Sequence, residues 1–195
     1  MKKILFAIVF CLILTACGKD QPVKVPSNEI EEIEPNTEDR IEVMLSGYSN
    51  LTDYINVLYA IEGLDGTTET GSFKNFPTYR SWPKQEGTIR VAVFAEKIAD
   101  FPASLFSSPD GITFGVVSQV NTPDDGKGIT WCGLKNSKFK NSDELYNSTI
   151  KALNEGVTGG FSGTGKSKHL LYTVKKDNSG RYMLNLDFNS GNIFE

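Results

Sequence analysis

The sequence predicts an α+β domain built on a mainly antiparallel sheet with one or two helices, and a β-sandwich with one helix is the alternative. Three observations carry this. Short runs of alternating apolar and polar residues are separated by turns such as Pro109-Asp110-Gly111 and Pro123-Asp124-Asp125-Gly126, which is the punctuation of strands. One segment, 142–155, has helical spacing with a cap and a stop. The last two apolar runs flank Lys175 to Arg181, a hairpin signal with a longer loop. At 39% hydrophobic and 23% charged residues, the chain has a globular composition, neither disordered nor fibrous.

The domain is expected from Ile41 to Glu195. Ile41 to Leu45 begins an alternation typical of a strand. Leu51, Tyr54, Ile55, Leu58 and Tyr59 fall on one helical face, with Ser49 or Asn50 as cap and Gly63 as stop. That spacing favours a helix, while the β-branched and aromatic content of Tyr54 to Ile61 keeps a strand as the alternative. Thr88 to Ala95, Ile112 to Val120 and Ile129 to Leu134 read as strands. Ser142 to Glu155 reads as the clearest helix. Asn141 or Ser142 caps it, Asp143 and Glu144 suit the positive end of its dipole, and Leu145, Thr149, Ala152 and Leu153 share a face. His169 to Val174 and Tyr182 to Phe188 complete the set as a hairpin.

Ahead of this domain lie two segments of different character. Met1-Lys2-Lys3 precedes eleven apolar residues, Ile4 to Leu14, and then Thr15-Ala16-Cys17-Gly18. That is the layout of a signal peptide with a small-residue cleavage site, and it is shorter than the roughly twenty apolar residues a membrane-spanning helix needs. Leu14-Thr15-Ala16-Cys17 resembles the lipobox of bacterial lipoprotein precursors. The resemblance implies cleavage before Cys17, a diacylglycerol thioether on its sulfur, and residence in the cell envelope. Gly18, rather than Asp, after the cysteine resembles the class sorted to the outer membrane. Residues 1–16 are then the signal peptide and 17–40 the lipidated cysteine with its tether. Residues 18–40 hold Pro22, Pro26 and Pro35, and seven acids against three bases, net −4, a composition that cannot offset its own ordering entropy. Extended, it would reach roughly 75 Å. With Cys11 lost and Cys17 lipidated, Cys132 has no partner for a disulfide. It is expected to be a small buried hydrophobe.

One motif imitates chemistry. Gly160, Gly165, Lys166 and Ser167 satisfy the phosphate-loop pattern G-x-x-x-x-G-K-S, in which backbone N–H groups and the lysine cradle phosphates and the serine binds Mg²⁺. That loop must follow a strand and open a helix. Here a helix precedes it and a strand follows, and 28 residues remain after Ser167, too few for further crossover units. The expectation is a non-functional lookalike that binds no nucleotide. His169 is the only histidine, so a two-histidine metal site is excluded, and neither H-E-x-x-H nor G-x-S-x-G occurs. Asp124 to Gly128 lacks the alternating ligands of a calcium loop and reads as a turn. No catalytic residue, metal or cofactor is assigned.

Two features support binding. Phe73, Phe76, Tyr79 and Trp82 recur every third residue in a segment stiffened by Pro77 and Pro83. Phe73 and Phe76 are expected in the core, with Tyr79 and Trp82 the binding candidates because each has a polar edge. Charge is also uneven: residues 41–126 carry eleven acids and five bases, and residues 127–181 carry ten bases and four acids. If these halves map to different faces the domain is dipolar and steers toward an anionic partner or surface; if they interleave, they only form cross-strand pairs. Over residues 17–195, 24 acids outnumber 18 bases, which gives nucleic-acid binding no support. The functional expectation is a lipid-anchored, non-enzymatic module binding an envelope protein or polysaccharide. An inhibitor or immunity-type protein against an exported enzyme or toxin, and an envelope hydrolase, are the alternatives.

Overall fold

A computed structural model describes residues 39–72, 77–155 and 165–194, with backbone alone at 130–133. The signal segment, residues 17–38 of the tether, Phe73, Phe76, Gly160 and the Cys132 side chain lie outside the described residues. Nine strands run β1 Arg40–Ser49, β2 Ile55–Glu62, β3 Thr68–Ser72, β4 Thr78–Pro83, β5 Gly87–Lys97, β6 Ile112–Asn121, β7 Gly126–Ser137, β8 Lys168–Lys176 and β9 Tyr182–Ser190. A short helix, α1 Ala103–Ser107, joins β5 to β6. The main helix, α2, is a continuous run of Ser142–Tyr146, a π-helical turn Asn147–Lys151, and Ala152–Glu155.

Every described pairing is antiparallel. One sheet has the order β4-β1-β6-β7 and the other β3-β2-β5-β8-β9. The fold is thus a sheet-rich α+β domain with one main helix. Alternation along each strand sends one set of side chains inward. Ile41, Val43 and Leu45 of β1 join Val57, Tyr59 and Ile61 of β2, Val91 and Val93 of β5, and Tyr172 and Val174 of β8 in a single core cluster. The two sheets therefore share one apolar interior.

Residues 55–62, which the helical spacing favours as a helix, form a strand. Ile55, Val57, Tyr59 and Ile61 point inward at period two, and residues 51–54 form the turn before it. Both β3 and β4 are additional to the sequence reading. The sequence of β3, Thr-Glu-Thr-Gly-Ser, has no apolar pattern, so pairing with β2 makes it a strand.

Three polar contacts tie sheet to sheet across the width of the domain. On one flank, Arg80 of β4 reaches the β2–β3 hairpin. Its Nη1 donates to the carbonyls of Ile61 and Thr67 at 2.7 and 3.2 Å, and its Nη2 to Thr67 Oγ1 at 2.7 Å. Asp65 and Glu69 lie 3.6 and 3.4 Å from the guanidinium, which is only 13% exposed. In the middle, Ser118 Oγ and the Tyr172 hydroxyl are 3.2 Å apart. Burial pushes the Tyr172 phenol up to about 12, so it stays neutral and satisfies Ser118. On the other flank, the β6–β7 turn grips β9. Asp124 Oδ2 accepts the Tyr182 N–H at 2.8 Å and Asp125 Oδ2 the Leu184 N–H at 3.0 Å.

The helix α2 closes the remaining gap. Asn141 Oδ1 accepts the Glu144 N–H at 2.9 Å and Glu144 Oε2 accepts the Lys140 N–H at 2.6 Å, a reciprocal cap. Leu145, Thr149, Ile150 and Leu153 are buried. The π-helical turn admits one extra residue, which brings Ile150 inward rather than Ala152. At the far end Asn154 binds β5: its Oδ1 accepts the Ala95 N–H at 2.7 Å and its Nδ2 donates to the Ala95 carbonyl at 2.8 Å.

Two predictions test these contacts. Asn154→Ala orphans both backbone groups of Ala95 and should cost about 1–3 kcal/mol, measured by urea unfolding. Asp125→Asn tests the turn. The Leu184 N–H, with help from Lys127, holds the Asp125 carboxyl below its usual range. The charged form is therefore favoured by folding, and its stabilisation is complete above about pH 4 and lost as pH falls through the lowered native value. The stability gap between wild type and Asp125→Asn should be open at pH 7 and narrow progressively below about pH 4.

Candidate binding surface

The strand β4 decides which aromatics are available. A spacing of three residues reverses the face in a strand, because side chains alternate at period two. Tyr79 therefore points outward and is 54% exposed, while Trp82 points inward and is 5% exposed. Trp82 is a correction to the expected binding pair. Its ring covers Gly63, where a Cβ would sit 2.0 Å from Trp82 Cζ2, and the Arg80 guanidinium carbon lies 4.8 Å from its ring centroid. Only glycine at 63 lets the ring approach that closely.

Tyr79 stands on the outer face of the β4-β1-β6-β7 sheet. Directly across is Met44, which in turn pairs Gln119. Four residues further along β1, roughly 13 Å away, Tyr48 lies over Gly115 and is 41% exposed. Val117, paired to Ser46 between these rows, is half-buried. The arrangement is a sheet face with a tyrosine at each end and Met44, Ser46, Val117 and Gln119 between. Tyr48 also lines a cavity of about 180 Å³ with Thr52, Ile55 and Phe114. The aromatic rings supply apolar contact and their hydroxyls supply directional hydrogen bonds at low entropic cost. Only Tyr79 had a signal in the sequence; Tyr48 and Met44 have none, since they come together through register.

The described residues of the phosphate-loop pattern, Gly165, Lys166 and Ser167, lie elsewhere, at the outer face of the second sheet. The Gly165 N–H donates to the Val93 carbonyl at 2.8 Å, and the Gly191 N–H donates to the Ser167 carbonyl at 2.9 Å. Gly165 has φ +99° and a Cβ there would lie 2.0 Å from the Asn154 carbonyl oxygen, so glycine is required by the junction of strand and helix. Its N–H is occupied by a strand and is not presented to an anion. Lys166 Nζ sits 4.3 Å from the Phe94 ring centroid. With Leu58, Thr70, Glu96 and Phe194 it borders an open cavity of about 460 Å³. The next element in the chain is the strand β8 rather than a helix.

His169 is 3% exposed. Its Nδ1 donates to the Gly191 carbonyl at 3.1 Å, and its Nε2 is buried without a partner among the described residues. No serine or carboxylate pairs with it there, so it holds the C-terminal segment against the sheet. The described residues contain no cluster of three or more His, Cys, Asp or Glu able to hold a metal.

Tyr79 and Trp82 should separate under mutation. Trp82→Ala removes a buried core ring and should cost about 3–5 kcal/mol. Tyr79→Ala should change stability by no more than about 0.5 kcal/mol. Thermal melts of the two variants decide it, and comparable losses would overturn the assignment of faces. No protein-family model, curated protein or solved structure matches this chain.

Proposed function

We propose that the chain is a lipid-anchored cell-envelope protein whose domain binds another envelope protein or polysaccharide and performs no reaction of its own. The anchor rests on the lipobox resemblance of Leu14 to Cys17, with Gly18 favouring the outer membrane of a two-membrane envelope. The binding role rests on one observation, the tyrosine wall formed by Tyr48, Met44, Val117 and Tyr79. Flat aromatic faces bury apolar area against a partner while their hydroxyls keep the free protein wetted. Conversely, the polar side chains of Arg80, Asp124, Asp125 and Asn154 are occupied in holding elements together.

Two measurements test the reading separately. Radiolabelled fatty acid should enter the wild-type protein and fail to enter Cys17→Ser, which should accumulate unprocessed or be released. Recovery of soluble, processed wild-type protein without label would sink the anchor. For the binding role, a photo-crosslinker placed at Ser46 in intact envelopes should give one discrete adduct. Adding Tyr79→Ala should reduce that adduct at least tenfold, since a few aromatic anchors carry most of an interface. An unchanged adduct would move the interface off this face.

A further inference from the structure

The two charge halves of the sequence do not interleave within the sheets. In the first sheet, β4, β1 and β6 come from the acidic half and β7 from the basic half; in the second, β3, β2 and β5 are followed by β8 and β9. The sheets are laid with matching flanks, because Arg80 of β4 meets the β2–β3 hairpin and the turn into β7 meets β9. All strands from the basic half therefore lie on one flank, together with α2. Residues 127–190 carry ten bases against five acids.

Contacts sharpen the imbalance. On the acidic flank, Arg80 and Arg90 are taken up by Asp65, Glu69 and Glu62. On the basic flank, Lys127, Lys151 and Arg181 pair with acids. The other seven lysines of residues 127–190 have no ion pair among the described residues. Four of them, Lys135, Lys138, Lys140 and Lys168, sit at one end of the flank, while Lys166 lies over Phe94 at the outer face of the second sheet. Register puts them there, since β7 ends opposite Ile112 at the start of β6 and β8 begins beyond Val91 of β5. Of the acids nearby, Glu144 accepts the Lys140 N–H and Glu155 pairs with Lys151, while Asp143 and Glu96 are exposed.

We propose that this flank docks on an anionic phospholipid bilayer. The partner is chosen by charge complementarity and by proximity. The proximity rests on the proposed lipid anchor, whose tether of roughly 75 Å would hold the domain at high effective concentration over a membrane. Each lysine brought to an anionic lipid surface contributes about fivefold in affinity, and the attraction is screened by salt. The domain would then lie on its lysine-rich flank, with the tyrosine wall on the outer face of the first sheet, leaving both surfaces usable at once.

The test uses residues 17–195 carrying Cys17→Ser; the buried core lies within 41–193, so the domain is retained. Without lipid, the outcome is independent of the Cys17 labelling experiment. Co-sedimentation with vesicles of phosphatidylglycerol and phosphatidylcholine should exceed that with phosphatidylcholine alone and fall at high salt. Lys135→Gln with Lys140→Gln should weaken binding roughly 25-fold, from two such contributions. Thr68→Glu with Gln85→Glu makes the same change in net charge away from these lysines and should alter binding less than about twofold. All four side chains are exposed, and melting curves check that each variant stays folded. Equal binding to neutral vesicles, no binding at low salt, equal losses in both variants, or salt-sensitive self-association without lipid binding would each overturn the proposal.

Discussion

β5 is longer than the partner beside it. Its eleven residues run from Gly87 to Lys97, yet β8 pairs only with Gly87 to Val91. Beyond Val91, Ala92 to Ala95 are buried inside the domain, where unpaired backbone groups cost as much as lost hydrogen bonds. Gly165 supplies an N–H to Val93, and the Asn154 amide supplies both a donor and an acceptor to Ala95. Much else depends on that need. It fixes the end of α2, it requires glycine at 165, and it sets Lys166 over Phe94. A segment that looks like a phosphate cradle is thereby used as a substitute for a strand.

The charge separation has the same kind of origin in chain order. Because the second half of the sequence adds its strands at one flank of each sheet, a difference along the chain becomes a difference across the molecule. The tyrosine wall depends instead on strand alternation, which turned one of two adjacent aromatics outward and the other into the core. Tyrosine wall and charged flank are thus independent features, set by different rules of the same two sheets.

How much of this was legible depended on whether a signal was local. The bounds of α2 were readable because the cap at Asn141 and the acidic first turn are sequence neighbours. Its buried face was only partly so, since the π-helical turn shifts Ile150 inward in a way no regular period anticipates. The stretch 55–62 satisfied helical and strand spacing together, and pairing with β5 along its whole length decided for the strand. β3 escaped because its residues are polar, and β4 because prolines and a three-residue aromatic spacing obscured its alternation. Tyr79 could be picked out as an aromatic; Trp82 could not be told from it without knowing that the segment is extended. Tyr48 and Met44 are brought to the same wall only by cross-strand register, which is a long-range property.

The grip of Asp124 and Asp125 on β9 has a consequence beyond holding the sheets together. β9 is the last strand of its sheet, and a last strand offers a row of backbone donors on which another chain can grow. Two of those donors, at Tyr182 and Leu184, are covered by carboxylates of the same molecule. An incoming strand must displace two charged acceptors before it can begin to pair there. The turn thus acts as a stopper against open-ended stacking of one domain upon the next, a hazard for any protein whose sheet ends in an open strand.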